Sequence, residues 1–386
     1  MSLPIPNTQP DTNEARLYNR LKRRLELADM VVGLGFLLVL LTTGWSVRLR
    51  DISIRAAGDN YALQLFFYVF MLSVISKMLT SGLDFYGFQL EHRFHLSNLK
   101  LSAWVRDEMK GWIVGLILSA ALAEIVYGLM RVSPAYWWII AWVVFLALMV
   151  FFMQVAPVVL FPLFYKFSPL QNEELKARLT RLGERAGTRV RGVYEWKLSA
   201  KTNKANAALT GLGATRRIIL ADTLLQNYTD DEIEAVLAHE LGHHVHRHIF
   251  KSILVEAAIT LAGFWVGNWA LQYAIYQRNM FRFYSLTDFA NLPLLVLVST
   301  ILSIVLMPAL NAFSRFSERQ ADRYCWQSVS SVTPFISAME KLNTQNLSER
   351  TPSRIVEVLF HSHPPISKRI SAAEHWMRKN RPSLAT

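Results

Sequence analysis

Six apolar stretches, each close to the roughly 20 residues that an α-helix needs to cross the hydrocarbon layer of a membrane, constrain the fold of this chain more than any other feature. Apolar residues make up 52% of the 386 residues and charged residues only 18%, whereas about a quarter of a typical soluble domain is charged. The sequence therefore predicts an all-α, multi-pass membrane protein with about six transmembrane helices. The stretches lie at about 28–47, 61–80, 111–130, 136–160, 251–276 and 291–312.

The net charge of +12 at pH 7 is concentrated on one side of the predicted helices. The loop at 81–110, the segment 161–250 and the C-terminal tail are basic, whereas the loops on the opposite side carry few Lys and Arg residues. Because Lys and Arg accumulate on the cytoplasmic side of membrane proteins, we expect both termini and the segment 161–250 to be cytoplasmic. The basic charge then indicates topology in a lipid bilayer, and no nucleic-acid partner is expected. The basic cluster before the first stretch consists of Arg16, Arg20, Lys22, Arg23 and Arg24.

The apolar stretches divide the chain into four predicted parts. Residues 1–160 form an N-terminal bundle of four spans, and residues 251–312 form a hairpin of two spans. Residues 161–250 are the first large polar block, and residues 313–386 are a helical, basic C-terminal part.

The polar block at 161–250 contains both helical and extended patterns. Leu175, Leu179 and Leu182 recur at helical spacing. Three short β-branched or alternating runs with Gly punctuation predict strands of a small sheet. These runs are "RVRGVYEWKL" (189–198), "ANAALTGLG" (205–213) and "TRRIILADTLL" (215–225).

The block ends in a predicted helix that carries the motif H-E-x-x-H, from His239 to His243. Thr229, followed three positions later by Glu232, is the pattern of a capping box at the start of this helix. Residues four apart lie on one side of a helix, so both imidazoles can bind one Zn²⁺ ion. Glu240 lies beside them and can take a proton from a water whose pKa the ion lowers from about 15.7 to about 7.

A chance match is the alternative, because the motif is short; the predicted helix argues against it. His244, His246 and His248 follow the motif directly. A histidine needs a set of partner ligands to bind a metal. We therefore expect these three at the juxtamembrane surface.

A catalytic zinc usually has three protein ligands and one open position. After His243, two predicted spans return the chain to the same side of the membrane, where "NAFSRFSERQADRYC" follows. Glu318 and Asp322 are four apart in this segment and share a helical face. We predict Glu318 as the third ligand and Asp322 as the acceptor for the free N–H of a ligating histidine. The alternative is that both are solvated acids in a basic tail.

The order of several segments resembles the integral-membrane CAAX prenyl proteases, a family of H-E-x-x-H zinc metalloendopeptidases of the gluzincin type. These segments are "DFYGFQLEHRFHLSN", "PLFYKFSPL", "NKANAALTGLGATRRIILADTLL", "AVLAHELGHHVHRH", "SRFSERQADRY" and "HPPISKRI". The resemblance extends from about residue 14 to 375. It implies a cytoplasmic, gluzincin-like zinc peptidase domain with a small β-sheet and one Zn²⁺ per chain.

The resemblance also implies roles for individual residues. His239, His243 and Glu318 resemble the family's zinc ligands, Glu240 its general base and Asp322 its supporting acid. Asn206 and Ala207 resemble the residues that bind the substrate backbone. His363 resembles the histidine that stabilises the scissile carbonyl or the tetrahedral intermediate, and Arg369 the arginine that braces the site. Hydrogen-bond donors beside a zinc are what a developing oxyanion requires.

Two departures from the family pattern concern the substrate. Eukaryotic members have seven spans and six are counted here, and Ala208 replaces an aromatic residue of the family's strand. The expected function is a membrane-embedded zinc metalloendopeptidase that acts on peptides or membrane proteins at the cytoplasmic face of a bacterial inner membrane. One alternative is a quality-control protease without prenyl recognition. Another is a transporter or lipid-binding protein whose zinc site is structural, with four protein ligands.

Glu124, Glu256 and Asn268 are polar residues within the apolar stretches. Polar groups inside spans usually face the bundle interior or a water-filled cavity. We expect them either to line an intramembrane chamber, which the resemblance implies, or to pair locally between helices.

Overall fold

A computed structural model describes residues 12–188, 190–211, 216–277 and 280–380. Within these ranges, six helices are long and apolar enough to cross a membrane. Their outward faces expose many large apolar side chains, which suits contact with lipid. This architecture confirms the predicted helical, multi-pass fold. The long helices are α1 (Asn13–Thr42), α3 (Tyr61–Arg93), α4 (Leu101–Val132), α5 (Trp137–Val155), α10 (His248–Gln272) and α11 (Leu292–Ser328).

The first and last spans differ most from their predicted bounds. The stretch 28–47 was expected to be one span, but α1 ends at Thr42 and a separate helix α2 (Trp45–Ala57) follows. Gly44, whose φ is +75°, takes the left-handed conformation that breaks the helix between them. At the other end of the chain, α11 continues without a break past 312 to Ser328. The end of the apolar stretch is therefore not the end of a helix.

A four-stranded sheet has the order β1-β2-β4-β3, with β2 and β4 parallel and the outer pairs antiparallel. The predicted run 215–225 was wrong in its second half, since its extended part ends at Ala221 and a helix begins at Asp222. Residues 212–215, which include the end of the second predicted run and the first residue of the third, lie outside the described residues. The strands are β1 (Phe167–Pro169), β2 (Gly192–Trp196), β3 (Ala207–Thr210) and β4 (Arg217–Ala221).

Shorter helices complete the polar half of the molecule around this sheet. Their shared core contains the predicted leucine stripe, with Leu175, Leu179 and Leu182 all buried, together with Ile218 of β4 and Phe335. Burial of such side chains stabilises this half independently of the lipid. The shorter helices are α6 (Phe161–Phe164), α7 (Glu173–Arg185), α8 (Asp222–Asn227), α9 (Asp230–Val245), α12 (Thr333–Gln345), α13 (Arg354–Phe360) and α14 (Ile366–Lys379).

A second core lies at the far end of the long helices, remote from the sheet. Here α2 and the segment 280–291 pack on the helix ends, and Tyr68 and Tyr127 are fully buried. The guanidinium of Arg50 lies 2.6 Å from the carboxylate of Asp288, and both side chains are buried. The long helices are thus fixed to one another at this end.

The loop between α3 and α4 contacts the segment that precedes β3. The backbone N–H of Asn98 donates to the carbonyl of Lys201 (2.9 Å), and that of Asn203 donates to the carbonyl of Leu96 (3.0 Å). The side chains of Lys201 and Asp107 form an ion pair of 2.5 Å. The membrane helices thereby position residues 201–203, which precede the outer strand β3.

Candidate metal centre and active site

Helix α9 begins with the predicted capping box. The Thr229 hydroxyl accepts from the backbone N–H of Glu232, and the Glu232 carboxylate accepts from the backbone N–H of Thr229. Ile233, Leu237 and Leu241 are buried on one face of the helix. This packing fixes the rotation of α9 about its axis and so the direction of the motif side chains.

The three predicted metal ligands lie together at the end of α9. The Nε2 atoms of His239 and His243 are 3.3 Å apart, and the two carboxylate oxygens of Glu318 lie 3.2 Å from one Nε2 each. Two atoms bound tetrahedrally to one Zn²⁺ at roughly 2.0–2.1 Å are about 3.3 Å apart. The cluster therefore has the spacing that a tetrahedral ion requires.

The carboxylate of Glu318 gives a second sign that the cluster fits a cation. Its Oε2 atom is buried and has no hydrogen-bond donor among the described residues. An unsatisfied buried oxygen costs free energy, and a cation between the three ligands removes that cost.

The raised pKa of His239 also indicates that the cluster favours positive charge. Burial alone lowers the pKa of His239, but the adjacent carboxylates of Asp322 and Glu318 outweigh burial and raise the pKa to about 9. The local field thus favours positive charge at this ring.

Gly242 lets α9 approach α11 closely enough to bring Glu318 into the cluster. A Cβ atom at position 242 would lie 2.7 Å from the Cα and 2.9 Å from the carbonyl oxygen of Ala321. Any larger residue would push the two backbones apart. The glycine of the motif is therefore required by the packing of α9 against α11.

Asp322 and Arg369 orient the ring of His239. The Nδ1 atom of His239 lies 2.9 Å from Asp322 Oδ1, so its N–H donates to the carboxylate and the Nε2 lone pair is left for the metal. Arg369 donates to both oxygens of Asp322, at 2.9 and 2.6 Å. All three side chains are buried.

His248 orients His243, the other histidine ligand. The sequence did not reveal this role of His248. The side chain was expected at the juxtamembrane surface, but it is 4% exposed. Its Nε2 lies 2.9 Å from Gln320 Oε1 and its Nδ1 lies 3.0 Å from Nδ1 of His243. If the ring donates to Gln320, it accepts from His243, whose Nε2 lone pair then points to the cluster. The expectation failed because the partner Gln320 belongs to α11, which is distant in sequence.

Glu240 lies next to the cluster in the same cavity. Burial raises its pKa, and positive charge on His239 and His243 opposes this increase. A raised pKa suits a carboxylate that takes up a proton near neutral pH.

His363 lies on the open side of the cluster. Its Nε2 is 3.3 Å from Glu318 Oε1, and its side chain is 61% exposed. The buried residues Pro364 and Pro365 follow it, and Pro365 is the N-cap of α14. His363 is therefore close to the ligands and still accessible to a substrate.

Asn206 immediately precedes β3, and Ala207 is the first residue of β3. This strand is the outer strand of the sheet on the side of α9. Asn346 holds the preceding residue, because its side chain accepts from the N–H of Ala205 (2.9 Å) and donates to the Ala205 carbonyl (3.3 Å). The side chain of Asn206 is exposed and, among the described residues, has no hydrogen-bond partner. It is available to a substrate.

Two cavities meet at the cluster, and His239, Glu240 and His363 line both. One has a volume of about 550 Å³ and extends between α5 and α10 to Glu256. The other has a volume of about 480 Å³ and extends past Asn206 to α1. A bound chain can thus pass the cluster from one cavity into the other. Of the polar residues in the spans, Asn268 instead pairs locally, accepting from Trp137 Nε1 at 2.8 Å.

The fold and the cluster define a multi-pass membrane protein with a metallopeptidase site. Residues 169–377 match the model of peptidase family M48, and residues 7–166 match the model described as the CAAX prenyl protease N-terminal region with five membrane helices. Since the first match covers more than half of the chain, the chain belongs to peptidase family M48 and is a membrane metalloprotease. This confirms the predicted enzyme class and gives no support to a transporter with a structural zinc site.

Several relatives resemble the chain over most of its length. The uncharacterized metalloprotease YhfN of Bacillus subtilis is 31% identical, with 93% of this chain and 84% of the relative covered. CAAX prenyl protease 1 of Saccharomyces cerevisiae is 26% identical, with 81% and 72% covered. The crystal structure of S. mikatae Ste24p superposes with a TM-score of 0.83 at 24% identity, covering 93% of this chain and 87% of that chain. The predicted family resemblance is confirmed.

Proposed function

We propose that this chain is a zinc endopeptidase that cleaves peptides or membrane-protein segments near the cytoplasmic face of the membrane. The observation that carries the proposal is the convergence of His239, His243 and Glu318 beside Glu240. Two imidazoles and one carboxylate are a donor set typical of catalytic zinc, with one position left for water or substrate. When bound, the metal polarises the peptide carbonyl and lowers the pKa of a water.

The residues around the cluster then have separate tasks. Glu240 takes a proton from the attacking water and passes it to the leaving amine. His363 is accessible and donates a hydrogen bond to the oxyanion that develops on the scissile carbonyl. Asn206 and Ala207 bind the backbone of an extended peptide along the edge of β3. Asp322 and Arg369 keep His239 in the orientation that binds the metal.

The charge distribution supports one orientation of the chain in the membrane. Lys and Arg are concentrated on the side of the sheet and α9, which supports a cytoplasmic active site and cytoplasmic termini. The similarity to a Bacillus protein supports a bacterial cell membrane.

Two substrate classes fit this site. The similarity to CAAX prenyl proteases favours peptides that carry a C-terminal lipid-modified segment, while the alternative is the degradation of damaged membrane proteins without prenyl recognition. One peptide assayed with and without a prenyl group distinguishes the two classes.

The test of the mechanism is the variant Glu240→Gln in the full-length, metal-loaded protein. We expect activity to fall by about 100- to 10,000-fold because the general base is lost, while metal analysis still finds one zinc per chain. A chelator should abolish wild-type activity, and added zinc should restore it.

Glu234→Gln is the matched control, because Glu234 is on the same helix and pairs with Arg178 outside both cavities. It should retain activity. A Glu240→Gln protein that cleaves peptide at the wild-type rate would exclude this mechanism.

A further inference from the structure

Arg216 lies at the end of the edge strand that is remote from Asn206. It immediately precedes β4, and its neighbour Arg217 pairs with Thr210, the last residue of β3. The backbone carbonyl of Arg216 accepts from the N–H of Arg191 at 2.8 Å, which fixes the main chain there. Thr210 is four residues beyond Asn206, a distance of about 14 Å along an extended strand.

Among the described residues, the guanidinium of Arg216 forms hydrogen bonds only with neutral side chains. Its Nη1 donates to Thr188 Oγ1 at 2.8 Å and to His244 Nε2 at 2.9 Å. Thr188 is 3% exposed, so the contact is with a fixed, buried hydroxyl. No carboxylate in the described part of the chain forms an ion pair with Arg216. By contrast, the buried Arg50 and Arg369 each pair with an aspartate.

The part of the chain that the structure describes therefore supplies no anion that pairs with Arg216. Burial lowers its pKa, and no acid counteracts that effect. A partly buried cation without an anionic partner costs free energy, and a ligand that supplies the anion recovers it.

Arg216 also lines the larger cavity next to the catalytic centre. The same 550 Å³ cavity contains Glu240 and, from the membrane helices, Met149 and Ile253. A peptide in this cavity would meet apolar side chains of α5, both apolar and polar side chains of α10, including Glu256, and one cation from the sheet. Thr188 and His244 hold that cation in place.

We propose that Arg216 is a specificity-determining residue that binds a carboxylate of the peptide substrate, three to five residues from the scissile bond (about 10–17 Å of extended chain). The carboxylate is either an Asp or Glu side chain or the terminal carboxylate. The proposal rests on the proposed peptidase function. Arg216 binds the substrate and takes no part in the chemical step.

The experiment begins with a neutral fluorogenic peptide that the full-length, zinc-loaded protein cleaves. Asp, Asn or Lys replaces each position in turn on both sides of the scissile bond, and each peptide is made with a free and an amidated C-terminus. For the wild type, we expect Asp at one position, or the free terminus, to raise kcat/KM by about tenfold over its neutral counterpart. The side-chain substitutions and the comparison of free with amidated C-termini identify which carboxylate is bound.

Variants of Arg216 then test the assignment. Arg216→Gln should abolish the ratio between acidic and neutral peptides, and Arg216→Glu should favour Lys at the same position. Arg217→Gln is the matched control, because Arg217 stacks on Tyr194 at 5.3 Å; it should keep the wild-type ratio.

The results that would contradict the Arg216 proposal differ from those that would contradict the peptidase function. If Arg216→Gln keeps the wild-type charge preference, or if the wild type has none, Arg216 is not a carboxylate-binding residue, although the peptidase function stands. If the zinc-loaded wild type cleaves no peptide of any charge, the proposed function itself fails.

Discussion

The two histidines of the cluster are oriented by different neighbours. His239 donates to a buried carboxylate that is itself held by Arg369, whereas His243 contacts a neutral chain formed by His248 and Gln320. The charged partner makes His239 the more electron-rich ligand. The neutral partner fixes the tautomer of His243 without adding charge.

Replacement of His248 tests this neutral chain. In His248→Ala, the Nδ1 atom of His243 loses its partner and the ring can rotate, so we expect zinc affinity to fall by about 10- to 100-fold. Competition with a chromogenic chelator measures the dissociation constant.

His375→Ala serves as the control, because His375 is exposed on α14 and should leave the affinity unchanged. An unchanged affinity in His248→Ala would show that the contact with His243 has no role in metal binding.

For individual residues, the sequence was sufficient to predict a role where that role depends on the spacing of residues along the chain. The four-residue spacing of His239 and His243 follows from the helical period. Glu318 and Asp322 could be predicted because two membrane crossings return the chain to the same side. His248 and Arg216 could not, because their environments depend on contacts between segments far apart in sequence.

Among the elements, the packing of α9 against α11 decides the geometry of the cluster. The two helices carry all three ligands, and their backbones approach closely where Gly242 faces Ala321. A helix pair with a larger residue at this crossing would place Glu318 farther from both histidines.

Gly242→Ala is expected to disturb the cluster without changing any ligand. The added Cβ would lie within 3 Å of backbone atoms of Ala321, and such overpacking costs about 1–3 kcal/mol of stability. We expect a lower melting temperature and weaker zinc binding, measured by thermal unfolding and chelator competition in detergent.

Gly263→Ala in α10 is the control, because its Cβ would meet only a Leu302 side-chain carbon at 3.5 Å, an ordinary contact. Equal effects of the two substitutions would mean that close helix approach is not the reason for Gly242.

The elements were predicted well where hydrophobic length or a capping box defined them, as in α9 and the six spans. They were predicted poorly where tertiary contacts determine whether a segment forms a strand or a helix. The short strand β1 exists through its pairing with β2. The residues after Ala221 leave the sheet, and the buried carboxylate of Asp222 accepts from the N–H groups of Leu198 and Ser199. Neither contact is visible in a local pattern.

In the molecule as a whole, two cores hold the helices at opposite ends. The core around the sheet fixes the cluster, and the far-end core fixes α2 and the segment 280–291 to the membrane helices. The buried pair of Arg50 and Asp288 lies in the far-end core. The far-end core therefore contributes to stability at a distance from the cluster.

Arg50→Ala tests this separation. Removing one partner of a buried ion pair leaves an uncompensated charge and costs about 3–5 kcal/mol, so we expect a clearly lower melting temperature. Below that temperature, kcat/KM should match the wild type, because the cluster is at the other end of the molecule.

Arg48→Ala is the control on the same helix, since Arg48 is exposed and surface substitutions usually change stability by less than about 0.5 kcal/mol. A loss of kcat/KM in Arg50→Ala at low temperature would show that the two ends are coupled.

The uninterrupted course of α11 has a practical consequence. Leu294 and Leu297 at its beginning belong to the far-end core, and Glu318 near its end belongs to the cluster. A fragment that contains only the water-soluble segments would lose the membrane-spanning half of α11, the helix that positions Glu318. Purification and inhibitor screening consequently require the entire polypeptide, kept in lipid or detergent from extraction to assay.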